Sequence, residues 1–366
     1  MIDKIIPFAE ISAEIKNNFL ADFKQIEIFQ KHIGESGTPV FYDVETTGLS
    51  PKESYLYLIG MLYEKDGYYV LHQMFAETID EEAELVRDFS KFISELHNHY
   101  LVHYNGNQFD RPYVEYKCEQ YHVPSPFTDH NTVDLYQLYK PCKKLFHLKS
   151  MRLAAMEQFL NPDMQRKYPN GKECISYYQK VSAIKGLELK YHIHHEDEYQ
   201  TYIDTLLGHN REDLMGTMLI CSLSAYFQWD ADCLNEGNLI QCQILDKESS
   251  SPKYQITYQS NRNFSVSLNL EYQNIHLLIE NEMIILTLPI YENQIRLYHR
   301  NYKDYVYLTN EDYAIPKSLS SFMESSLYEK ASEVNCYTWL KITTQLLENN
   351  EQPKQLLLHY LKYFFN

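Results

Sequence analysis

Asp43 and Glu45 flank a single valine in the run Phe41-Tyr42-Asp43-Val44-Glu45-Thr46-Thr47-Gly48-Leu49. Residues 39–42 read as an apolar strand that breaks into a tight turn near Gly48. Side chains alternate across a strand, so the two carboxylates share one face while Val44 points into the packed side. No Lys or Arg stands between Lys31 and Lys52. Like charges that close need a proton, a basic partner or a divalent metal, and a metal is the reading tested against the rest of the chain. Asp110 ends Asn105-Gly106-Asn107-Gln108-Phe109-Asp110, at a strand-to-helix junction, and Asp213 falls in the first turn of an amphipathic helix read over residues 209–227. His209 precedes Asp213 by four residues and shares its helical face. Each acid also has a structural explanation: a solvated strand face for Asp43 and Glu45, a helix cap for Asp110, and an N-cap pair for Asn210 and Asp213.

Order and flanks favour the chemical reading. The three motifs resemble those of the DEDD 3′ to 5′ exonuclease group of the ribonuclease H-like superfamily: residues 43–49 are similar to the first, Asn-x-x-x-Phe-Asp at 105–110 to the second, and His209-Asn210-Arg211-Glu212-Asp213 to the third. Within that group the chain most resembles bacterial YprB-like ribonuclease H-like domains, which share HN-x-x-D and an Asp-Leu like Asp134-Leu135 between the second and third motifs. The resemblance spans residues 38–228. It implies a metal-dependent nuclease that hydrolyses phosphodiester bonds from a single-stranded 3′ end of DNA or RNA. Two Mg²⁺ or Mn²⁺ ions about 4 Å apart would be held by Asp43, Glu45, Asp110 and Asp213, with Asp43 as the bridge. His209 would orient or deprotonate the attacking water, although it combines the His of one subclass with the three-residue spacing of the Tyr subclass. Thr46 and Leu49 would meet the substrate, Leu49 against the terminal base, with a plain core position as its structural alternative. Asn105 would fix the substrate or the local backbone. Asn210 and Asp134 would support the ligands from behind, with Thr132 where a His is familiar.

Substrate contact needs positive charge, and Lys140, Lys143, Lys144, Lys149 and Arg152 form a run without an acid. Interleaved with Tyr139, Phe146 and His147, it suits a phosphate backbone and stacked bases, or else a solvated loop. His192, His194, His195 and Glu196 read as a solvated loop, with a transition-metal site as the alternative.

The elements that position these residues imply an α/β unit, by resemblance a ribonuclease H-like mixed five-stranded sheet flanked by helices. Residues 1–37 read as a leading helical segment and linker. Residues 55–63 and 68–75 form a hairpin around Lys65-Asp66-Gly67, and Thr78 with Glu81 is a capping box before a helix striped by Leu85, Phe89, Phe92, Ile93 and Leu96. A short strand follows at 131–135, a helix at 148–160, and irregular loops with short helices at 161–193. From Trp229 onward alternating strands, including a hairpin at 296–307, define a mainly antiparallel β-rich domain over 229–366. Helices at 317–332 and 339–365 cover it, and it could recruit a protein partner.

The 366 residues accommodate two domains. A net charge of −17 excludes a broadly basic nucleic-acid-binding surface, so a polyanionic substrate must meet local basic patches and bound cations. The seven cysteines have no zinc-type spacing, and neither a secretory h-region nor an apolar run of about 18 residues is present. A reduced, cytoplasmic protein without membrane contact is expected. The competing functions are a nucleic-acid-binding or interaction module that keeps the fold without catalysis, and an endonuclease of ribonuclease H type.

Overall fold

A computed structural model describes residues 1–7, 23–192, 196–348 and 351–365, with residues 1–223 forming one unit and 224–366 another. In the first unit, β1 (Ile2–Pro7), β2 (Thr38–Thr46), β3 (Leu56–Lys65), β4 (Tyr68–Phe75), β5 (His99–His103) and β6 (Thr132–Asp134) make one mixed sheet in the order β1-β4-β3-β2-β5-β6. The β3–β4 hairpin turns on Asp66 and Gly67, both at positive φ (54° and 82°), as a tight type I′ turn requires. β2 runs antiparallel to β3 and parallel to β5, which is parallel to β6. Parallel neighbours bring the C-terminal ends of β2, β5 and β6 to one edge, where sites of such sheets collect.

The helices of this unit are α1 (Phe23–Ile33), α2 (Glu82–Ser94), α3 (Asp110–Tyr121), α4 (Leu135–Tyr139), α5 (Cys142–Leu145), α6 (Leu153–Leu160), α7 (Gly171–Tyr191) and α8 (Glu196–Ile220). Leu85, Val86, Phe89 and Ile93 of α2 and Tyr113 and Val114 of α3 cover one sheet face with Val40, Tyr42 and Val44. Tyr178 and Val181 of α7 and Ile203, Leu206 and Leu207 of α8 pack with Tyr57, Leu58 and Phe75.

Several sequence expectations need correction. Residues 2–7 are an edge strand, which makes the sheet six-stranded rather than five-stranded. Ile2, Ile5 and Ile6 suit either periodicity, and the open edge of β4 decides, with Ile2 opposite Phe75 and Pro7 opposite Val70. Pro7 has no N–H to lose and is tolerated at an edge. The stretch at 161–193 contains the 21-residue α7, opened by Asn170, whose side chain accepts from the backbone N–H of Lys172 and Glu173. Pro169 and Gly171 therefore mark a helix start and not a broken loop. Likewise α8 begins at Glu196, so His209, Asn210 and Asp213 lie in its interior, because Ile203, Leu206 and Leu207 extend the apolar stripe upstream. Thr78 makes no side-chain cap, and Glu81 instead accepts from the Glu77 backbone at 2.8 Å.

In the second unit β7 (Asn238–Leu245), β8 (Lys253–Tyr272) and β9 (Ile275–Pro289) form an antiparallel sheet. β10 (Gln294–Tyr298) does not turn back on its neighbour as a hairpin but pairs with β14 (Tyr337–Lys341). β11 (Tyr305–Leu308) lies between β12 (Tyr313–Pro316) and β13 (Tyr328–Lys330). Across the β10–β14 pair Arg296 stands opposite Trp339, with its guanidinium over the rings of Tyr337 at 4.3 Å and Tyr291 at 4.6 Å. The helices expected at 317–332 and 339–365 shrink to residues 317–320, 344–347 and 351–365, with a 3-10 turn at 325–327 and the strands β13 and β14 among the remaining described residues.

Candidate active site

Register on β2 sets the first two acids. Val40, Tyr42 and Val44 enter the core under α2, so Asp43 and Glu45 project to the opposite face, toward α8. There the Asn210 side-chain amide donates to Asp43 Oδ2 at 2.9 Å, while Gln73 Nε2 donates to Asn210 Oδ1 at 2.9 Å and to the Leu207 carbonyl at 2.8 Å. Asn210 is fully buried and caps nothing: it carries a hydrogen-bond chain from β4 to the Asp43 carboxylate. Gly60, opposite Asp43 on β3, makes room for it, since a Cβ there would lie 1.9 Å from Asn210 Oδ1.

Asp110 opens α3 directly after the turn that follows β5. Asn105 adopts φ 62°, and its N–H and that of Asn107 donate to the buried Asp134 carboxylate at 2.9 and 3.3 Å. Asp134 also caps α4 through the Tyr136 N–H at 3.0 Å. His103 Nδ1 accepts from the Gly106 N–H at 2.9 Å. Gly106 has no substitute, because a Cβ would approach His103 Nδ1 to 2.5 Å and Asp110 Oδ2 to 2.7 Å.

α8 supplies the rest, and every residue of His209-Asn210-Arg211-Glu212-Asp213 has its own partner. His209 Nε2 lies 3.4 Å from Glu45 Oε1 and 3.5 Å from Asp213 Oδ2, while its Nδ1 is buried with no hydrogen-bond partner among the described residues. Arg211 donates to the Tyr168 hydroxyl at 3.0 Å, and Glu212 accepts from the backbone N–H of Lys167 at 2.8 Å. Asp213 Oδ1 accepts from Arg166 Nη1 at 2.5 Å, and the same guanidinium grips Glu157 of α6 through Nε at 2.9 Å and Nη2 at 2.7 Å. Arg166, Glu157, Gln73 and Tyr168 were missed by sequence reasoning. None sits in a motif, and the signal in the sequence was a basic pair, Arg166-Lys167, in a stretch read as loop.

An open cleft of ≈ 970 Å³ runs over this edge, lined by Asp43, Glu45, Asn105, Asp110, Arg166, His209 and Asp213. The same cleft is lined by Lys140, Lys143, Lys149 and Arg152, all exposed. The Lys144 side chain lies outside the described residues. The aromatic partners differ from expectation: Tyr139 and Phe146 are buried core residues, and the rings on the cleft are Tyr104, Phe109, Tyr136 and Tyr168. Tyr104 and Tyr136 meet edge-to-face at 6.0 Å. Thr46 and Leu49 do not line the cleft. Thr46 Oγ1 donates to the Gly48 carbonyl at 2.9 Å, and Leu49, 86% exposed, is no core residue. His192 ends α7, and His194 and His195 lie outside the described residues.

Electrostatically the acids are crowded. Burial raises the Asp43 and Glu45 carboxyls well above the usual range, and Asp213 and Asp110 raise both further, with Glu45 adding to the effect on Asp43. Burial likewise lifts Asp110 to about 7. Burial works against the charge on Arg166, but Glu157 and Asp213 outweigh it and keep the guanidinium protonated. The donor atoms of Glu45, His209 and Asp213 lie within 4.8 Å of one another and can hold a metal ion. Hard carboxylate oxygens crowded in this way fit a divalent metal.

A family model described as the RNase_H superfamily matches residues 40–224, half of the chain. No curated protein matches the chain in sequence. Among solved structures it is similar to E. coli exonuclease I in complex with a dT13 oligonucleotide, at 11% identity and a TM-score of 0.29 over 89% of this chain and 71% of that one. It is also similar to the zinc-bound E. coli exonuclease I complex with single-stranded DNA, at 13% identity and a TM-score of 0.31 over 90% and 70%. The matched residues take in β3 to β6, nearly all of β2 and the acids near the ends of the parallel strands, and the chain belongs to the RNase_H superfamily.

Proposed function

We propose that this protein is a metal-dependent 3′ to 5′ exonuclease acting on single-stranded ends of DNA or RNA. One observation supports the reading: four acids from three separate stretches line one cleft together with His209 and with basic and aromatic side chains. Asp43, Glu45, Asp110 and Asp213 would hold two Mg²⁺ or Mn²⁺ ions. When bound, such ions supply Lewis acidity at the phosphodiester and make water a competent nucleophile at neutral pH. His209 Nε2 accepts the proton of the attacking water. The water oxygen bonds to phosphorus as the bond to the 3′ oxygen breaks, and the departing strand takes up a proton on that oxygen. Lys140, Lys143, Lys149 and Arg152 hold the backbone, and Tyr104 and Tyr136 offer faces for bases.

The likeness to YprB-like domains, resting on the HN-x-x-D and Asp-Leu motifs, belongs to this reading. So does the division into a leading segment over 1–37, an exonuclease domain over 38–228 and a β-rich C-terminal domain over 229–366. A cytoplasmic location is part of the same proposal. Among the described residues no helix is long and apolar enough to cross a membrane.

The test is an end-labelled single strand with Mg²⁺ or Mn²⁺. Mononucleotides should appear, Asp43→Ala and Asp213→Ala should each lose at least about 100-fold in rate, and a circular strand should survive. Cutting of the circle would favour an endonuclease, and unaltered metal-dependent activity in both variants would remove the site assignment.

A further inference from the structure

We propose that Arg166 and Glu157 form a rigid clamp that aims the Asp213 carboxylate into the metal site, an inference that rests on the nuclease reading above. Neither residue belongs to the acidic set, and neither follows from the motifs. Glu157 takes both donors of one edge of the guanidinium, Nε at 2.9 Å and Nη2 at 2.7 Å, which fixes the plane of the fork. The direction of Nη1 is then determined, and Nη1 holds Asp213 Oδ1 at 2.5 Å. The other oxygen, Oδ2, is left facing His209 Nε2 at 3.5 Å. Asp213 is thus divided between one tethered oxygen and one presented to the site.

The clamp is itself seated. The Glu157 side chain is 1% exposed and lies against Gly216, one turn beyond Asp213 on α8, where a Cβ would come within 1.7 Å of Glu157 Oε1. Glu157 also balances the charge of Arg166, so Asp213 is steadied without adding net positive charge where cations must bind. A lysine could supply the charge but not the planar fork, which separates positioning from simple electrostatics.

The experiment compares the full chain with Arg166→Lys, Glu157→Gln and the double variant. Mn²⁺ binding is read by calorimetry, kcat and KM on an end-labelled single strand, and the melting temperature alongside. Each single variant should weaken Mn²⁺ binding and lower kcat by about 10-fold or more, with KM and melting temperature near parental values. The double variant should be no worse than the weaker single, because the two residues act in series. Parental Mn²⁺ affinity and kcat in Glu157→Gln would overturn the clamp, as would losses that multiply in the double variant. A raised KM at unchanged kcat would make Arg166 a substrate contact, and a parallel fall in melting temperature would make the pair structural; either outcome overturns the proposal. Should Arg166→Lys fail to fold, Glu157→Gln, nearly isosteric, decides alone. A parent that neither binds Mn²⁺ nor cleaves would sink the nuclease reading and the clamp together, whereas an active parent with an unaffected Glu157→Gln removes the clamp only.

Discussion

Burial lifts the Asp110 carboxyl to about 7, and Asp134 and Asp213 push the same way against backbone hydrogen bonds from Asp110 itself and Val44. In the unfolded chain the same group titrates near 4, so between these values the metal-free folded state binds the extra proton. Stability must therefore fall as pH rises through that window and stay low above it. Asp43 and Glu45, raised for the same reason, add to the slope. With a chelator present, the melting temperature should be lower at pH 8 than at pH 5 by about 5 °C or more, a gap that excess Mg²⁺ closes and Asp110→Asn narrows. A gap unaffected by either would mean that the cluster does not carry this charge cost. At this scale the carboxylates and His209 were legible because ordered short motifs mark them. Arg166, Glu157 and Gln73 were not, since a buried partner from another element leaves no periodic trace.

α8 is the element on which the site depends, and it approaches the sheet and its neighbours through glycines. Gly60 lets Asn210 and Leu214 sit on β3, Gly208 takes the ring of Tyr168, and Gly216 takes Glu157. Around the helix these contacts separate by face: residues 208, 212 and 216 meet α6 and the segment before α7, 209 and 213 meet the cleft, and 210 and 214 meet the sheet. Gly60→Ala would force Asn210 off Asp43, because the new methyl overlaps its amide. Overpacking of this kind costs about 1–3 kcal/mol. Urea denaturation should show that loss, and hydrolysis should fall beyond what the residual folded fraction explains. Full activity in a folded Gly60→Ala protein would show that the bond from Asn210 to Asp43 is dispensable. The sequence located α8 by its amphipathic end but began it too late. The acid-rich turn at 196–198 looked like loop until burial of Ile203, Leu206 and Leu207 against β3 and β4 extended the helix.

Across the whole chain a net charge of −17 coexists with a basic wall of four exposed side chains on the cleft. Substrate binding should then be local and salt-sensitive. Reversing Lys140 and Lys149 together to Glu should raise KM with little change in kcat, and should flatten the plot of log KM against log salt by about 1 or more. An unchanged slope would mean that the strand does not run along this wall. Composition, hydrophobic alternation and three spaced motifs determined a two-part α/β and β-rich chain with an acidic site on its first motif strand, because strand period and turn chemistry are local properties. What only the tertiary structure decided was pairing at a distance. β1 joins β4 across more than sixty residues, β10 chooses β14 over its neighbour, the cleft presents Tyr104 and Tyr136 in place of Tyr139 and Phe146, and Arg166 reaches Asp213. Each depends on which surfaces meet once the chain closes on itself, and no window of neighbouring residues contains that information.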